Sequence, residues 1–219
     1  SSRAPINKMN ISILLIAIFS YMIGSISGGV VVGRLKNVDI RTKGSKAAGA
    51  TNAFRTMGAI FALSVLIIDV YKGYFSTFYI PYLVGNETTF AKIVAGFSSI
   101  LGHVFPIYFK FKGGKGVGTA LGTLFAFPQL YLATFIGFMS WLFTLFLTGY
   151  VGLGSIISGI VVLAFYFFST NYIINDLTFY VLFIAIFFII THRENIKRLL
   201  NGSENQFQKI MFLNFFKKK

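Results

Sequence analysis

The sequence predicts an all-α integral membrane protein, a bundle of about seven transmembrane helices with Gly-rich basic loops. Three observations carry that reading. Of 219 residues, 55% are hydrophobic and only 12% charged, roughly half the charge of a water-soluble domain. Mean hydropathy is +0.74. Apolar runs recur near the ~20 residues that cross about 30 Å of hydrocarbon. No room remains for a separate soluble domain, and the absence of Cys excludes disulfides, thiol nucleophiles and thiolate metal sites together.

Residues 1–8 are polar and read as a cloning remnant or a flexible external tail. The apolar run after them lacks a small-residue cleavage site and reads as a retained helix. Hydropathy then places spans at roughly 10–33, 57–84 with a bend or break near Asp69 to Gly73, 90–108, 116–128, 129–148, 153–170 and 177–191. The spans at 116–128 and 177–191 are short for a crossing, and Pro128 and Gln129 leave hardly any loop, so merging or re-entry there would change the count. No internal repeat is evident, which weakens an inverted-repeat transporter. Residues 9–219 read as a single transmembrane domain.

Twenty Lys and Arg stand against six Asp and Glu, a net charge of +14. In a soluble chain that surplus would suggest nucleic acid; in a membrane protein it is read by position, and no nucleic-acid partner is expected. With seven crossings, alternate loops collect Arg34, Lys36, Arg41, Lys43, Lys46 and Arg55, then Lys110, Lys112 and Lys115, then Arg193, Lys197, Arg198, Lys209 and Lys217 to Lys219. Sixteen of the twenty positive charges therefore face one compartment. The positive-inside bias makes that face cytoplasmic, with the N-terminus outside and the C-terminus inside.

The first of these loops runs from Asp39 through Arg41, Gly44, Ser45, Lys46, Ala47, Gly49, Thr51 and Asn52 to Arg55. Small residues let backbone N–H groups approach an anion, and the interspersed cations neutralise it, which is the composition of a phosphate site. An ordinary polar loop carrying positive-inside charge fits the same segment equally well. The second loop, Phe109, Lys110, Phe111, Lys112, Gly113, Gly114, Lys115, Gly116, Val117, Gly118, Thr119, is a Gly-rich basic turn that leads straight into a helix. Gly supplies close backbone approach and Lys115 a mobile cation. The pattern of a nucleotide-hydrolysing P-loop is absent, because Gly116 follows Lys115 and no buried strand precedes.

Just upstream, His103 sits at the end of an apolar span, where it reads either as a helix-end histidine bonded to a carbonyl or as part of the adjoining site. After the last span come His192, Asn195, Arg198 and Glu204. On a continuing helix His192 and Asn195 share a face, while Ile196, Leu199 and Leu200 suit an interfacial tail. The segment Thr148 to Ser155 is uncharged and small, suited to tight helix packing or to an apolar slot. Asp69 and Lys72, at i and i+3 inside a span, read equally as a structural pair or a functional one. Two His and scattered acids offer no metal-ligand spacing, and no Gly-x-Ser-x-Gly elbow is present, so neither metal nor cofactor is expected.

Together these segments resemble the bacterial acylphosphate:glycerol-3-phosphate acyltransferase family (PlsY type). The resemblance rests on Gly24-Ser25-Ile26 with Gly28, Asp39 to Ser45 and Gly49-Ala50-Thr51-Asn52 to Arg55, Gly102-His103 with Phe105-Pro106, and Phe111 to Val117. It continues through Thr148-Gly149-Tyr150 with Leu153-Gly154-Ser155, and ends at His192, Asn195, Arg198, Leu199, Gly202 and Glu204. It covers nearly the whole chain in the family's order.

The resemblance implies seven transmembrane helices, residence in the bacterial inner membrane, and transfer of an acyl group from acyl-phosphate to glycerol-3-phosphate to give lysophosphatidic acid. The lipid bilayer is the setting, and a monomer is expected. It implies catalytic roles for Ser45, Arg55, Lys115, His192 and Asn195. Substrate contacts are expected from Arg41, Gly44, Gly49, Thr51, Asn52, His103, Lys112, Gly113, Gly114, Gly116, Ser155 and Glu204. Both Lys112 and Lys115 fit the family's loop lysine, and Lys115 is favoured for its place among the glycines.

Two departures from the family pattern stand out, at three positions. Lys46 and Ala47 stand where Gly and Asn are usual, and Ser27 where Pro is usual. The main competing function is a transporter for phosphorylated metabolites or other anions. It predicts polar or positive residues deep inside the spans, whereas here the cations cluster on one side. A basic scaffold that binds anionic lipids through its tail is a third reading.

Overall fold

Five stretches of the computed structural model are long and apolar enough to cross a membrane: Asn10–Leu35, Ala59–Val84, Thr89–Phe109, Pro128–Thr148 and Val151–Ser169. A sixth arises if two helices bent by 54° around His192, Asp176–Thr191 and Arg193–Leu200, count as one span. The structure describes residues 4–207; Arg3, Lys209 and Lys217 to Lys219 of the charge count lie outside them. Among the described residues all regular structure is helical. In chain order the helices are α1 (Ala4–Gly24), α2 (Gly28–Leu35), α3 (Ala50–Met57), α4 (Ala59–Val84), α5 (Thr89–Val104), α6 (Val117–Leu124), α7 (Tyr131–Thr148), α8 (Val151–Ser169), α9 (Asp176–Thr191) and α10 (Arg193–Leu200). Cα packing divides the chain into two compact units, parting between Phe127 and Pro128.

Three expectations change here. The helix α1 starts at Ala4, inside the stretch read as a tail. The span expected at 116–128 contains α6, eight residues and about 12 Å long, less than half of a hydrocarbon core. Hydropathy registers that Val117 to Leu124 is apolar but not that the chain turns at once into a 3₁₀ turn, Pro128–Leu130. The break expected near Asp69 to Gly73 is also absent, for α4 runs unbroken through it. The two charges there neutralise each other, with Lys72 Nζ 2.9 Å from Asp69 Oδ1. Gly73 serves packing, since a Cβ on it would run into the Thr119 backbone of α6.

The first unit holds α1 to α6. Small residues let its helices touch backbone to backbone, the usual device where lipid gives no hydrophobic drive between helices. A Cβ on Gly24 of α1 would strike the Ser99 backbone of α5, and one on Gly122 of α6 the Val70 carbonyl of α4. Outward faces carry Ile11, Leu14, Ile18 and Phe19 on α1 and Ile60, Leu63 and Ile67 on α4, as expected of helices surrounded by acyl chains. Near the basic loops an apolar cluster of Val32, Ile40, Ala53, Phe61, Ala62 and Val65 fixes α2 and α3 to α4.

The second unit holds α7 to α10. A left-handed Gly149 (φ 72°) ends α7 and turns the chain directly into α8. Asn175 and Thr178 form a reciprocal capping box that starts α9, supplying partners to otherwise orphan N–H groups. At His192 the helix axis turns, so α9 does not continue straight into the polar segment as the shared-face reading assumed.

Candidate active site

In the first unit the loop between α2 and α3 is organised by one side chain. Asn52, on the first turns of α3, is 1% exposed. Its amide nitrogen lies 2.9 Å from the Ile40 carbonyl, 3.0 Å from that of Lys43 and 2.9 Å from that of Ala47, and its oxygen accepts the Ser45 N–H at 2.9 Å. An amide has two N–H donors, so the three carbonyls share them and no donor is left over. Gly44 (φ 56°) is needed beside it, because a Cβ there would overlap the Asn52 oxygen. Ser45 is therefore held by its backbone and is itself exposed at the loop surface, while Arg55 lies one turn beyond Asn52, half-buried. Lys46 takes a left-handed conformation (φ 59°) at the position where the family pattern has Gly, so this departure places a side chain on strained backbone.

At the start of the same loop Asp39 grips Arg41 through two parallel bonds, Nε to Oδ1 at 2.9 Å and Nη2 to Oδ2 at 2.8 Å. The Arg41 side-chain bond holds the Asp39 carboxyl below the usual carboxylate range, and Asp39 in turn raises Arg41 above its ordinary value. The guanidinium groups of Arg34 and Arg41 both stack on the Phe109 ring, each 5.6 Å from its centroid. Phe109 thus brings the ends of both basic loops together. Sequence reading did not single it out; the signal was an aromatic residue set among cations at Phe109 to Lys112.

The Gly-rich loop lies against the first one, with the Ala48 N–H directed at the Gly113 carbonyl at 3.4 Å. Lys112 is exposed and Lys115 half-buried. Gly116 (φ 85°) provides the left-handed step that starts α6. Behind the loop sits His103, 4% exposed. The Gly114 N–H bonds the His103 carbonyl at 3.2 Å, and a Cβ on Gly114 would collide with His103 Nε2. His103 Nδ1 is 2.9 Å from Lys72 Nζ and 3.4 Å from Asp69 Oδ1, so the pair left open in the sequence is joined to the loop through this histidine. Gly49 caps α3 with open space around its Cα, and Thr51 is half-buried on the first turn.

In the second unit His192 is 3% and Asn195 4% exposed. A carbonyl only accepts, so the 2.8 Å contact from His192 Nδ1 to the Phe188 oxygen puts a proton on Nδ1, which in the neutral ring leaves the lone pair on Nε2. Asn195 donates to Glu204 Oε1 at 2.9 Å, and Arg198 Nε to Glu204 Oε2 at 2.7 Å. The Glu204 carboxylate, 1% exposed, is thus committed to two protein groups. The segment that carries Glu204 is pinned by the Phe207 N–H on the Gly149 carbonyl. Ser155 is buried and its hydroxyl bonds its own helix at Val151. Gly152 lets Asn195 lie against α8, since a Cβ there would come within 2.7 Å of the amide nitrogen.

Comparison with known proteins decides the family. The family described as Glycerol-3-phosphate acyltransferase matches residues 14–202. The chain belongs to the glycerol-3-phosphate acyltransferase family. A family member from Aquifex aeolicus is 40% identical over 199 residues, 89% of this chain and 98% of the relative. One from Bacillus subtilis is 41% identical over 193 residues, covering 88% and 96%. Among solved structures, PlsY, an integral membrane glycerol 3-phosphate acyltransferase, in its glycerol 3-phosphate form aligns with a TM-score of 0.80 and 38% identity. It covers 90% of this chain and 96% of that one. The lysophosphatidic acid form aligns at 0.79 and 37%, covering 90% and 95%. This glycerol-3-phosphate acyltransferase family member is accordingly an integral membrane protein of helices, as its composition requires.

Proposed function

We propose that this protein moves a fatty acyl group from acyl-phosphate to the 1-hydroxyl of glycerol-3-phosphate, releasing phosphate and lysophosphatidic acid. The observation that carries the proposal is the family match over residues 14–202, which contains every proposed site residue except Glu204. Because that match runs across the division between the two units, it supports treating 9–219 as one functional domain. Both substrates carry phosphate and one a long chain, so the reaction needs anion cradles and an apolar surface beside them. The basic loops of the first unit supply the cradles. In the same unit a groove of about 600 Å³, lined by Ala17, Ile18, Tyr21, Met22, Leu101 and Tyr108 among others, offers apolar surface for an acyl chain.

Acyl-phosphate is an activated mixed anhydride with a stable leaving group, so positioning and charge neutralisation can carry most of the rate. In this scheme the glycerol 1-hydroxyl attacks the acyl carbonyl, the acyl C–O bond to phosphate breaks, and inorganic phosphate departs. Arg55 and Lys115 neutralise phosphate charge, with Lys112 as the second loop cation. Ser45 and Asn195 donate hydrogen bonds. His192, with its lone pair on Nε2, orients the hydroxyl or takes its proton. Gly113, Gly114 and Gly116 leave backbone open to phosphate. Arg41, Gly44, Gly49, Thr51, Asn52, His103, Ser155 and Glu204 shape the site through the loops and helices they hold.

The enzyme acts as a monomer in the bacterial inner membrane with the active site on the cytoplasmic side, where the basic loops collect; the N-terminus outside and C-terminus cytoplasmic hold if the 116–128 segment, with its short α6, counts as a seventh crossing. The test is lysophosphatidic acid formation by purified protein given palmitoyl-phosphate and glycerol-3-phosphate, with palmitoyl-CoA and Arg55→Ala as controls. Product from the acyl-phosphate alone, lost in the variant, is expected. No product from folded protein would overturn the assignment.

A further inference from the structure

The buried group Asp69, Lys72 and His103 lies behind the Gly-rich loop, and its hydrogen bonds define its protonation pattern. Lys72 Nζ has three acceptors around it: Asp69 Oδ1 at 2.9 Å, the Ile26 carbonyl at 2.7 Å and His103 Nδ1 at 2.9 Å. A protonated Lys72 has three N–H groups and accepts nothing, so all three are placed and His103 Nδ1 accepts the third, at 2.9 Å, closer than its 3.4 Å approach to Asp69 Oδ1. The proton of the neutral ring is then on Nε2, the atom that Gly114 abuts. Asp69 Oδ1 also accepts the Gly28 N–H at 3.2 Å, so one carboxylate ties the start of α2 to α4. The group as a whole is neutral, with one carboxylate against one ammonium.

We infer that Asp69 and Lys72 are positioning residues for the Gly-rich loop: they hold the His103 ring in its Nε2–H form, directed at Gly114, and so set the loop that delivers Lys115. The inference rests on the acyltransferase reading, since it assigns the loop a phosphate to bind. Each link is close contact. Gly113 and Gly114 lie so near the His103 carbonyl and ring that neither tolerates a Cβ, and the ring cannot turn without giving up Lys72. A buried ion pair is by itself weak evidence for stability, because an apolar pair of the same volume is often as good. What an apolar pair cannot do is choose a histidine tautomer. The two histidines of the chain are in fact set oppositely, His192 with its proton on Nδ1 by the Phe188 carbonyl and His103 with its proton on Nε2 by Lys72.

The first test needs no activity. With only two His in the chain, ¹⁵N-histidine NMR of the solubilised full chain resolves both rings, and a His192→Gln variant assigns them. We expect a protonated Nε2 and an unprotonated Nδ1 for His103, reverting to a mixture in Lys72→Met. A protonated Nδ1 on His103 in the unaltered protein overturns the inference whatever the enzyme does.

The second test is kinetic. His103→Gln carries its amide nitrogen to the Nε2 position, whereas the shorter His103→Asn stops at Nδ1. We expect His103→Asn and Lys72→Met to raise KM for a phosphorylated substrate about tenfold, as for one lost charge-assisted bond, with kcat within about threefold, the pattern of lost uniform binding. His103→Gln should keep KM near the original. If His103→Gln and His103→Asn behave alike at equal thermal stability, or KM does not move, the positioning role is refuted. Should Lys72→Met fail to fold, the histidine pair decides alone. Unaltered protein that forms no lysophosphatidic acid refutes the acyltransferase reading instead, and leaves the NMR result to judge the tautomer.

Discussion

Replacing Asn52 by Ala removes the side chain around which the first basic loop is wound. The original amide makes at most three full hydrogen bonds there, two shared among the carbonyls of Ile40, Lys43 and Ala47 and one from the Ser45 N–H. At about 1 kcal/mol net for each bond the limit is about 3 kcal/mol. Lys43 and Ser45 are exposed and regain water when the side chain goes, so about 2 kcal/mol of loop stability should be lost. At 1.4 kcal/mol per decade this speeds local opening about 30-fold. Hydrogen–deuterium exchange in nanodiscs reads it directly: amides of 40–49 accelerate about 30-fold, while those of α8 do not change. Asn52→Asp keeps the acceptor for the Ser45 N–H but sets a buried carboxylate oxygen against the three carbonyls, and should open the loop at least as far as Asn52→Ala. A change below about threefold in Asn52→Ala would refute the view that this residue organises the loop.

Other predictions follow from neighbouring features. Lys46→Val places a β-branched residue on left-handed backbone and should destabilise the loop by at least about 1 kcal/mol relative to Lys46→Gly, seen as faster exchange at residues 44–47; equal exchange in both would contradict the strain. The Asp39–Arg41 pair stabilises the loop above the ordinary carboxylate range, where Asp39 is charged in both states, and that contribution disappears as the pH falls through the lowered value of the folded state. Since the Asp39 side chain is 40% exposed, the effect is at most about 1 kcal/mol; the exchange difference between the original protein and Asp39→Asn should be full at pH 6 and shrink as the pH falls below the ordinary carboxylate range. His192→Ala should lower kcat by about 10² or more if the ring orients or deprotonates the hydroxyl, and a loss under tenfold in a steady-state assay excludes both roles.

Much of the fold was legible because crossing a bilayer imposes a length and a composition that a hydropathy count detects. The regions 57–84, 90–108, 129–148, 153–170 and 177–191 match helices within a few residues. What hydropathy could not see was depth and direction. Val117 to Leu124 is as apolar as a span yet forms two turns, and Asp69 to Gly73 contains two charges and a glycine yet does not interrupt the helix. The site was legible as ordered motifs of small and basic residues. Its internal division of labour was not, since that depends on where side chains close upon backbone. Nothing in the order of residues says that Asn52 spends its amide on its own loop, that Glu204 is occupied by Asn195 and Arg198, or that His103 meets a lysine 31 positions earlier.

The Asp69–Lys72 pair also bears on how the chain enters the membrane. Both members stand on one helix, a single turn apart, so α4 carries its own counter-ion whether or not a neighbouring helix is packed against it. A lone lysine at the middle of a span opposes insertion by about 2.5–3.5 kcal/mol on translocon scales. A helix that neutralises it internally can be handed to the bilayer as a nearly neutral segment. The Ile26 carbonyl and Gly28 N–H, made before α4, and His103, made after it, then add to a pair that is already neutral on its own helix.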